Sequence, residues 1–324
     1  MRISRTECTM KKSAARYDVI IVGGGPAGLT AAVYAARKML NVLLITQNIG
    51  GQALYSLDVE NYMGYQFISG QDLMDRFQTQ VEKYHVQKTF AVVTAVDKEE
   101  EAFVARTETG DEYRAKTIII ATGKKSRTLN AKGVDRFLGR GVSYCATCDA
   151  PLFADVDVAV LGGGNSAITA AYELMSIARK VYLINRSSLR ADEVYLEKIQ
   201  DAPNIEQLLG YELIEVKGDD VVTAVVLRRV SDGSFITLPT AGIFIEIGLI
   251  PNSDVVRDLV LLNKDNEIIV SYDCSTSIPG IYAAGDVTTV PEKQIIVAAG
   301  EGAKAAISAY KYLLKAGQHP VVGY

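Results

Sequence analysis

One glycine-rich pattern occurs twice in this chain, and it constrains the fold more than any other feature. A β-branched run, Tyr17 to Val22, ends in Gly23-Gly24-Gly25-Pro26-Ala27-Gly28, and a second run, Val156 to Leu161, ends in Gly162-Gly163-Gly164-Asn165-Ser166-Ala167. Each turn leads into an alanine-rich helical stretch and a second short apolar strand, the order that opens a dinucleotide-binding fold. One copy is a weak signal, since glycine-rich turns occur in many folds. Two copies with the same flanking elements predict two dinucleotide-binding domains.

The first turn illustrates why glycine is needed. Gly23 permits the tight turn, Gly25 lets the backbone approach a pyrophosphate, and Gly28 allows the helix to pack closely on the strand. The following helix, about residues 29–37, offers its N-terminal N–H groups and the positive end of its dipole to the phosphates. The second strands of the two units are predicted at residues 42–46 and 181–184.

The second unit lies inside the first. An apolar strand, Lys116 to Ala121, closes with Ala121-Thr122-Gly123, and a later strand, residues 280–284, closes with Gly285-Asp286 before a helix over about residues 294–314. An aspartate after a strand-end glycine suits a hydrogen bond to a sugar hydroxyl, although an Asx-turn or helix cap is the plainer interpretation of that residue alone.

The sequence therefore predicts an α/β protein in which one Rossmann-like domain is inserted into another. Gly, Lys, Asn and Pro gather at residues 123–127 and 247–251, which we expect to be the crossing points and a hinge. The expected boundaries are a disordered tail at 1–16, a first domain at 17–125 and 249–324, and a second at 126–248.

Composition excludes several function classes. The 324 residues are 48% apolar, enough for two domains without a disulfide or metal staple. The net charge is −4 and the basic residues are scattered, which disfavours nucleic-acid binding. No apolar run approaches the roughly 20 residues of a membrane helix, and no apolar stretch follows the basic residues of the tail as in a secretory signal. We expect a cytoplasmic protein.

Two of the four cysteines form a C-x-x-C pair, Cys145-Ala146-Thr147-Cys148, and Cys8 and Cys274 stand alone. A half zinc site would need a second pair of ligands, which the chain does not offer, and its two histidines, His85 and His319, are far away in sequence. An inert pair of thiols is the other alternative. We favour a redox dithiol, because this spacing allows an intramolecular disulfide and a lowered thiol pKa. Asp149 is the best local candidate for the proton donor to a leaving thiolate.

With these motifs in order, the chain resembles the low-molecular-weight thioredoxin reductases of bacteria and archaea over nearly its full length. The matching segments beyond the two glycine turns and the dithiol are short motifs along the rest of the chain: Gly50-Gly51-Gln52, Val59-Glu60-Asn61, Ala121-Thr122-Gly123, Thr276 to Gly280, Ala283 to Val287, and Gln294. The resemblance implies FAD-binding and NAD(P)-binding Rossmann-like domains of three-layer ββα architecture. The dithiol belongs to the inserted nicotinamide domain, which rotates in this family.

The resemblance also implies a role for each matched position. FAD would be held by a set spread over the outer domain and the matched motifs: Gly23, Gly25, Pro26, Ala27, Gly28, Gly51, Gln52, Asn61, Ala121, Thr122, Gly123, Gly285, Asp286 and Gln294. The nicotinamide pyrophosphate would lie against the second turn: Gly162, Gly164, Asn165, Ser166 and Ala167. Cys148 would face the flavin, Cys145 would attack the partner disulfide, and Asp149 would act as general acid.

The match departs from the family at the strand that follows the second turn. The usual NADPH signature there is His-Arg-Arg, three residues, then Arg, whereas this chain has Asn185-Arg186 and then Arg190. Arginine suits the 2′-phosphate of NADPH, and an acidic residue at this strand end would favour NADH. We favour NADPH, with NADH as an alternative. Ferredoxin or a reduced deazaflavin is a third possible donor, which the intact second turn disfavours.

Several functions therefore compete. The first, thioredoxin reductase, predicts a thioredoxin or thioredoxin-like partner and a homodimer. The reductase of a peroxide-removing (peroxiredoxin) system is favoured by Asn165-Ser166, although those flavoproteins carry a further N-terminal thioredoxin-like module, so we would expect a separate glutaredoxin-like carrier. A ferredoxin–NADP reductase would lack the dithiol. A non-enzymatic flavin-binding redox sensor is the last alternative.

Overall fold

The computed structural model describes residues 16–56, 59–99, 102–127 and 129–317. The predicted tail at residues 1–16, except for Arg16, lies outside the described residues, as do Cys8 and His319. No helix in the described part of the chain is long and apolar enough to cross a membrane.

The strands are short and many. In chain order they are β1 (Arg16–Gly24), β2 (Val42–Ile49), β3 (Gln87–Phe90), β4 (Val93–Lys98), β5 (Phe103–Thr107), β6 (Glu112–Ile120), β7 (Lys124–Ser126), β8 (Val142–Ser143), β9 (Asp157–Leu161), β10 (Lys180–Asn185), β11 (Ile205–Leu209), β12 (Tyr211–Gly218), β13 (Val222–Arg229), β14 (Phe235–Pro239), β15 (Gly242–Ile245), β16 (Leu249–Pro251) and β17 (Ile281–Ala283).

Six α-helices accompany them in the described ranges: α1 (Pro26–Arg37), α2 (Gly70–Glu82), α3 (Ala146–Asp149), α4 (Asn165–Met175), α5 (Glu193–Gln200) and α6 (Ile295–Lys315). Short 3₁₀ helices cover Gly51–Tyr55, Ala150–Phe153 and Asp254–Val256. The described chain divides into two compact units. The first takes in residues up to 49, 78–123 and from 252 onward, and the second takes in residues 50–77 and 124–251.

The first unit is built on a sheet of order β3-β2-β1-β6-β5-β4, with β17 also paired to β6. Strands β3, β2, β1, β6 and β17 are parallel, and β4 and β5 are antiparallel. Alternate residues of the parallel strands, such as Ile20 and Ile118, share a core with Phe103 and Ala105 of β5. Helices α1 and α6 pack against each other. Tyr17, Ile20 and Val22 of β1 belong to this core, and Val19 and Ile21 are buried outside it.

The second unit has a fully parallel sheet of order β11-β10-β9-β15-β8 and a separate antiparallel sheet β12-β13-β14. Val158 and Val160 of β9 pack with α4, whereas Ala159 and Leu161 pack with the antiparallel sheet. Both faces of the parallel sheet are therefore covered, which explains why its strands are apolar throughout. This arrangement confirms the predicted three-layer ββα fold.

The predicted crossing points form a two-stranded ribbon. Strands β7 and β16 pair antiparallel, with Lys125 opposite Ile250. The predicted domain boundaries at 125/126 and 248/249 stay predictions. The two compact units change over at 123/124 and 251/252, and residues 50–77 group with the second unit.

The predicted β-α-β segments are confirmed, with the bounds of the elements differing by a few residues in either direction. The largest difference is β6, which begins at Glu112 rather than Lys116 because its polar first half pairs with β5. The α/β class and its two Rossmann-like units are as predicted.

Candidate redox site

The cysteine pair lies at the carboxyl end of the parallel sheet of the second unit. Strand β8 pairs with β15 at the sheet edge, and the chain then turns into the single-turn helix α3. Cys145 and Cys148 form a disulfide with their Cα atoms 5.3 Å apart. The Cys145 Sγ also accepts the backbone N–H of Cys148 at 3.2 Å. The predicted intramolecular disulfide is therefore present, and both cysteines are half-buried.

Asp149 is held on the last turn of α3 by a serine that was not predicted from the sequence. The hydroxyl of Ser143 donates to the Asp149 carboxylate at 2.6 Å. The same oxygen accepts the backbone N–H of Cys145 at 3.0 Å. Because Ser143 is buried on β8, one hydroxyl connects the proposed acid to the first cysteine.

Asp149 also lines a small pocket of about 20 Å³. The other lining residues come from the approach to β8 and from the segment after α3: Gly139, Gly141, Val142, Ser143, Leu152 and Phe153. A volume of this size admits one water molecule. The pocket therefore has room for one water molecule beside Asp149.

Two further carboxyl groups lie around the dithiol turn. Glu246 follows β15 and accepts the backbone N–H of Ala146, the first residue of α3. Burial raises the pKa of Glu246 to about 7, and the negative charge of Glu173 adds to this shift against the lowering effect of the Ala146 hydrogen bond. Glu173, on α4, has both carboxylate oxygens 3.3 Å from the hydroxyl of Thr147.

The second glycine turn opens at the same end of this sheet, after β9. Gly164 is the N-cap of α4, and a side chain there would meet nothing within 4 Å, so the space beside this residue is open. Asn165, Ser166 and Ala167 form the first turn of this eleven-residue helix. A phosphate fits such a helix start, because its N–H groups have no partners within the helix.

The segment after β10 is tied to that turn. The backbone N–H of Arg190 donates to the carbonyl of Gly163 at 2.6 Å, and Asn165 exchanges two hydrogen bonds with Asp192. The amide of Asn185 donates to the carbonyls of Ser187 and Ser188, so it shapes the loop that carries the arginines. Arg186 and Arg190 are exposed. The backbone of Arg190 therefore lies beside the second glycine turn, and Arg186 lies on the same loop.

The first glycine turn lies among the strand ends of the first unit. Gly23 has a φ of +113°, and a Cβ there would collide with the carbonyl of Ala121 at the end of β6. Gly25 is the N-cap of α1, with Pro26 at its first position and Ala27 and Gly28 following. Thr122 and Gly123 continue from β6, and Gly285 follows β17 on the other side. An FAD pyrophosphate fits this bare, N–H-rich helix start.

A buried carboxyl group makes a hydrogen bond to the turn that contains Asp286. Glu301 of α6 is 3% exposed, and its carboxylate accepts the backbone N–H of Gly285 at 2.8 Å. Burial raises the pKa of Glu301, and the nearby Asp286 raises it further. Gln294, also assigned to FAD, is the N-cap of the same helix.

Three of the residues assigned to FAD lie in the other unit. Gly51 begins a 3₁₀ helix, the side-chain amide of Gln52 donates to the carbonyl of Lys124, and Asn61 is exposed in the loop before α2. The structure therefore brings most of the predicted flavin residues together in the first unit and places these three with the second. Their role at the flavin stays a prediction.

Three polar residues of these turns, Ser143, Glu246 and Glu301, were not predicted from the sequence. The two acids each had a weak local signal. Glu246 is the one charge in an apolar run, and Glu301 lies in a helix of small residues between Ala298 and Ala306. A lone acid in such a run indicates a buried carboxyl group with a specific partner, but the partner is defined only by the fold.

Comparison with known proteins agrees with this geometry. Residues 17–302 match the pyridine nucleotide-disulphide oxidoreductase family. Among solved structures, thioredoxin reductase from Streptococcus pyogenes superimposes with a TM-score of 0.89 at 38% identity, covering 94% of this chain and 100% of that one. Thioredoxin reductase from Giardia duodenalis superimposes with a TM-score of 0.86 at 32% identity, covering 92% and 99%.

A curated relative found by sequence is named after a different enzyme. The F component of alkyl hydroperoxide reductase from Escherichia coli K12 is 40% identical over 306 residues, which is 92% of this chain. The match spans only 58% of that relative's length. The two sets of relatives therefore carry names that point to different partners.

Proposed function

The chain belongs to the pyridine nucleotide-disulphide oxidoreductase family, and from this premise we propose that it passes electrons from NADPH to thioredoxin or a thioredoxin-like protein. It is an NAD(P)H-dependent flavoprotein disulfide oxidoreductase, and the family implies FAD and a nicotinamide nucleotide as cofactors. The observation that carries the proposal is the Cys145–Cys148 disulfide, with Asp149 held beside it through Ser143.

FAD supplies the step between a two-electron hydride donor and a disulfide. The residues of the chain perform the exchange with the partner. The Cys145 thiolate attacks one sulfur of the partner disulfide, a mixed disulfide forms, and the other partner sulfur leaves as a thiolate and takes a proton. Cys148 then attacks Cys145, which restores the intramolecular disulfide and releases the second partner thiol. Two protons pass to the partner in each cycle, and Asp149 is the proposed carrier.

NADPH is favoured over NADH by the two exposed arginines on the loop that is bonded to the second glycine turn. Guanidinium groups bind a phosphate through paired hydrogen bonds. Asn185 occupies the strand end where an acidic residue would select NADH, and its amide is engaged with the loop carbonyls.

The test is an anaerobic titration of the FAD-loaded protein with NADPH and with NADH, followed by turnover with a panel of thioredoxins. We expect NADPH to bleach the flavin at lower concentration and at least one thioredoxin to be reduced catalytically. No turnover with any thioredoxin, whichever donor reduces the flavin, would reject the proposal.

A second function is favoured by the 40% identity to the F component of alkyl hydroperoxide reductase. In that case the dithiol would reduce the carrier of a peroxiredoxin system rather than thioredoxin itself. A coupled assay with a glutaredoxin-like carrier, a peroxiredoxin and a hydroperoxide distinguishes the two. Peroxide-dependent NAD(P)H oxidation that thioredoxin cannot replace would favour this second function. The homodimer and the cytoplasmic location stay predictions.

A further inference from the structure

Glu246 touches both functional turns of the second unit. Its backbone N–H donates to the carbonyl of Leu161 at 2.8 Å, immediately before the second glycine turn. Its own carbonyl lies so close to Gly162 that a Cβ on that glycine would collide with it. Its carboxylate holds the backbone N–H of Ala146, next to Cys145. One residue therefore connects the nucleotide turn to the dithiol turn.

The surroundings of Glu246 contain several titratable groups. Glu173 faces it from α4, and the two cysteines and Asp149 lie on α3 or at its start. Arg127 lies beside Gly248, two residues after Glu246: its backbone N–H donates to the Gly248 carbonyl at 3.5 Å, and its side-chain Nε would lie 3.5 Å from a Cβ on Gly248. Glu173 shares a hydrogen bond with Thr147, the residue between the cysteines, so two carboxyl groups contact the same turn from different elements.

From this cluster we infer that Glu246 is a second acid of the dithiol site, a positioning residue whose charge sets the reactivity of Cys145 through Ala146. When Glu246 is ionised, its negative charge opposes formation of a thiolate on the neighbouring residue. When it takes up a proton, that opposition is removed while the carboxyl oxygen can still accept the Ala146 N–H. Because its pKa is raised to about 7, this change falls within the physiological range.

The inference rests on the proposed function only in taking Cys145 as the cysteine that attacks the partner disulfide. The test of Glu246 needs no partner protein, so the role of Glu246 and the proposed function can fail separately. The FAD-loaded protein is reduced with excess dithiothreitol under anaerobic conditions and freed of reductant. Its cysteines are then alkylated with iodoacetamide over a range of pH, and mass spectrometry measures the rate at Cys145 and at Cys148.

Glu246→Gln keeps an acceptor for the Ala146 N–H and removes the charge. We expect the ratio of its Cys145 alkylation rate to that of the wild type to be about 1 near pH 5.5. The ratio should rise to roughly three- to tenfold by about pH 8, with a midpoint near 7. A ratio that does not change with pH would overturn the inference.

Two further variants complete the design. Glu173→Gln removes the second negative charge, so the inflection that Glu246 contributes in the wild type should move to lower pH, and an unmoved inflection would also overturn the inference. This variant keeps the test open if Glu246→Gln does not fold. Glu197→Gln, an exposed glutamate on α5, is the matched control and should leave the profile at Cys145 unchanged.

Discussion

Ser143 donates a hydrogen bond of 2.6 Å from its hydroxyl to the carboxylate of Asp149. The same oxygen accepts the backbone N–H of Cys145 at 3.0 Å and lies 3.3 Å from the Cys145 carbonyl oxygen. The serine is 5% exposed, so water does not readily replace it. The proposed acid and the attacking cysteine are thus oriented by one buried side chain, and a change at Ser143 should affect proton transfer and dithiol geometry together.

Replacement of Ser143 by alanine should lower kcat with the disulfide partner about tenfold, a fraction of what a general acid contributes. The alkaline limb of the pH profile of kcat should move to higher pH, because the general acid acts in its protonated form and the charged form of Asp149 loses a donor. Ser143→Thr, which keeps the hydroxyl, should restore most of the activity. A fall in kcat without any change in the pH profile, or no rescue by threonine, would indicate that Ser143 is only structural.

The roles of the cysteines can be separated by comparing Cys148→Ser with Cys274→Ala. Loss of Cys148 should reduce disulfide turnover to background while NADPH still bleaches the flavin, since both glycine turns are intact. Cys274 is 1% exposed, and burial raises the pKa of its thiol to about 11, so it carries little thiolate. Its alanine variant should retain turnover within about twofold. Turnover in Cys148→Ser above background would contradict the proposed relay.

The sequence predicted the elements that form from residues close together in the chain, and it missed features that depend on residues far apart. Strands such as β1 and β9 were located because β-branched apolar runs end at glycine turns, a local signal. The bounds of β6 were wrong by four residues, since its polar half is stabilised by pairing with β5, a partner that the run of apolar residues does not reveal. The ribbon of β7 and β16 was anticipated only as two crossing points.

The residues of the site also fall into two groups, those that local motifs predicted and those that they did not. The dithiol and both glycine turns have contiguous motifs, and the sequence therefore located them. Ser143 lies two residues before Cys145 and six before Asp149, but nothing in that short segment marks the contact. Glu246 and Glu301 act on residues brought to them by strand order or helix packing. For example, Glu246 reaches Ala146 because β15 pairs with β8. A single sequence contains no local pattern for such contacts.

The nucleotide preference should depend on the loop after β10. Replacing Arg186 and Arg190 together by alanine should raise KM for NADPH at least tenfold, because each charge-assisted hydrogen bond contributes about 1.5–3 kcal/mol. KM for NADH should change by less than about twofold, which makes NADH the internal control. Steady-state rates with both donors measure the effect. An equal loss with NADPH and NADH would place the arginines outside the 2′-phosphate site.

Glu301 gives the stability of the first unit a defined pH dependence. Its pKa is raised by burial in the folded protein, so the folded state favours the neutral carboxyl group. The stability that follows from this shift is fully present below the ordinary carboxyl pKa and is lost as the pH rises through the higher folded value. The buried charge then remains, held by the N–H of Gly285.

Glu301→Gln carries no titrating proton, so the difference in stability between the wild type and this variant should depend on pH. Relative to the variant, the wild type should have its highest Tm at acid pH and should lose that advantage toward pH 8. Thermal unfolding of the FAD-loaded proteins across this range measures the difference. Glu292→Gln, an exposed glutamate in the same segment, is the control and should parallel the wild type at every pH. A Tm difference between wild type and Glu301→Gln that is constant with pH, or that grows in favour of the wild type as the pH rises, would contradict the buried titration.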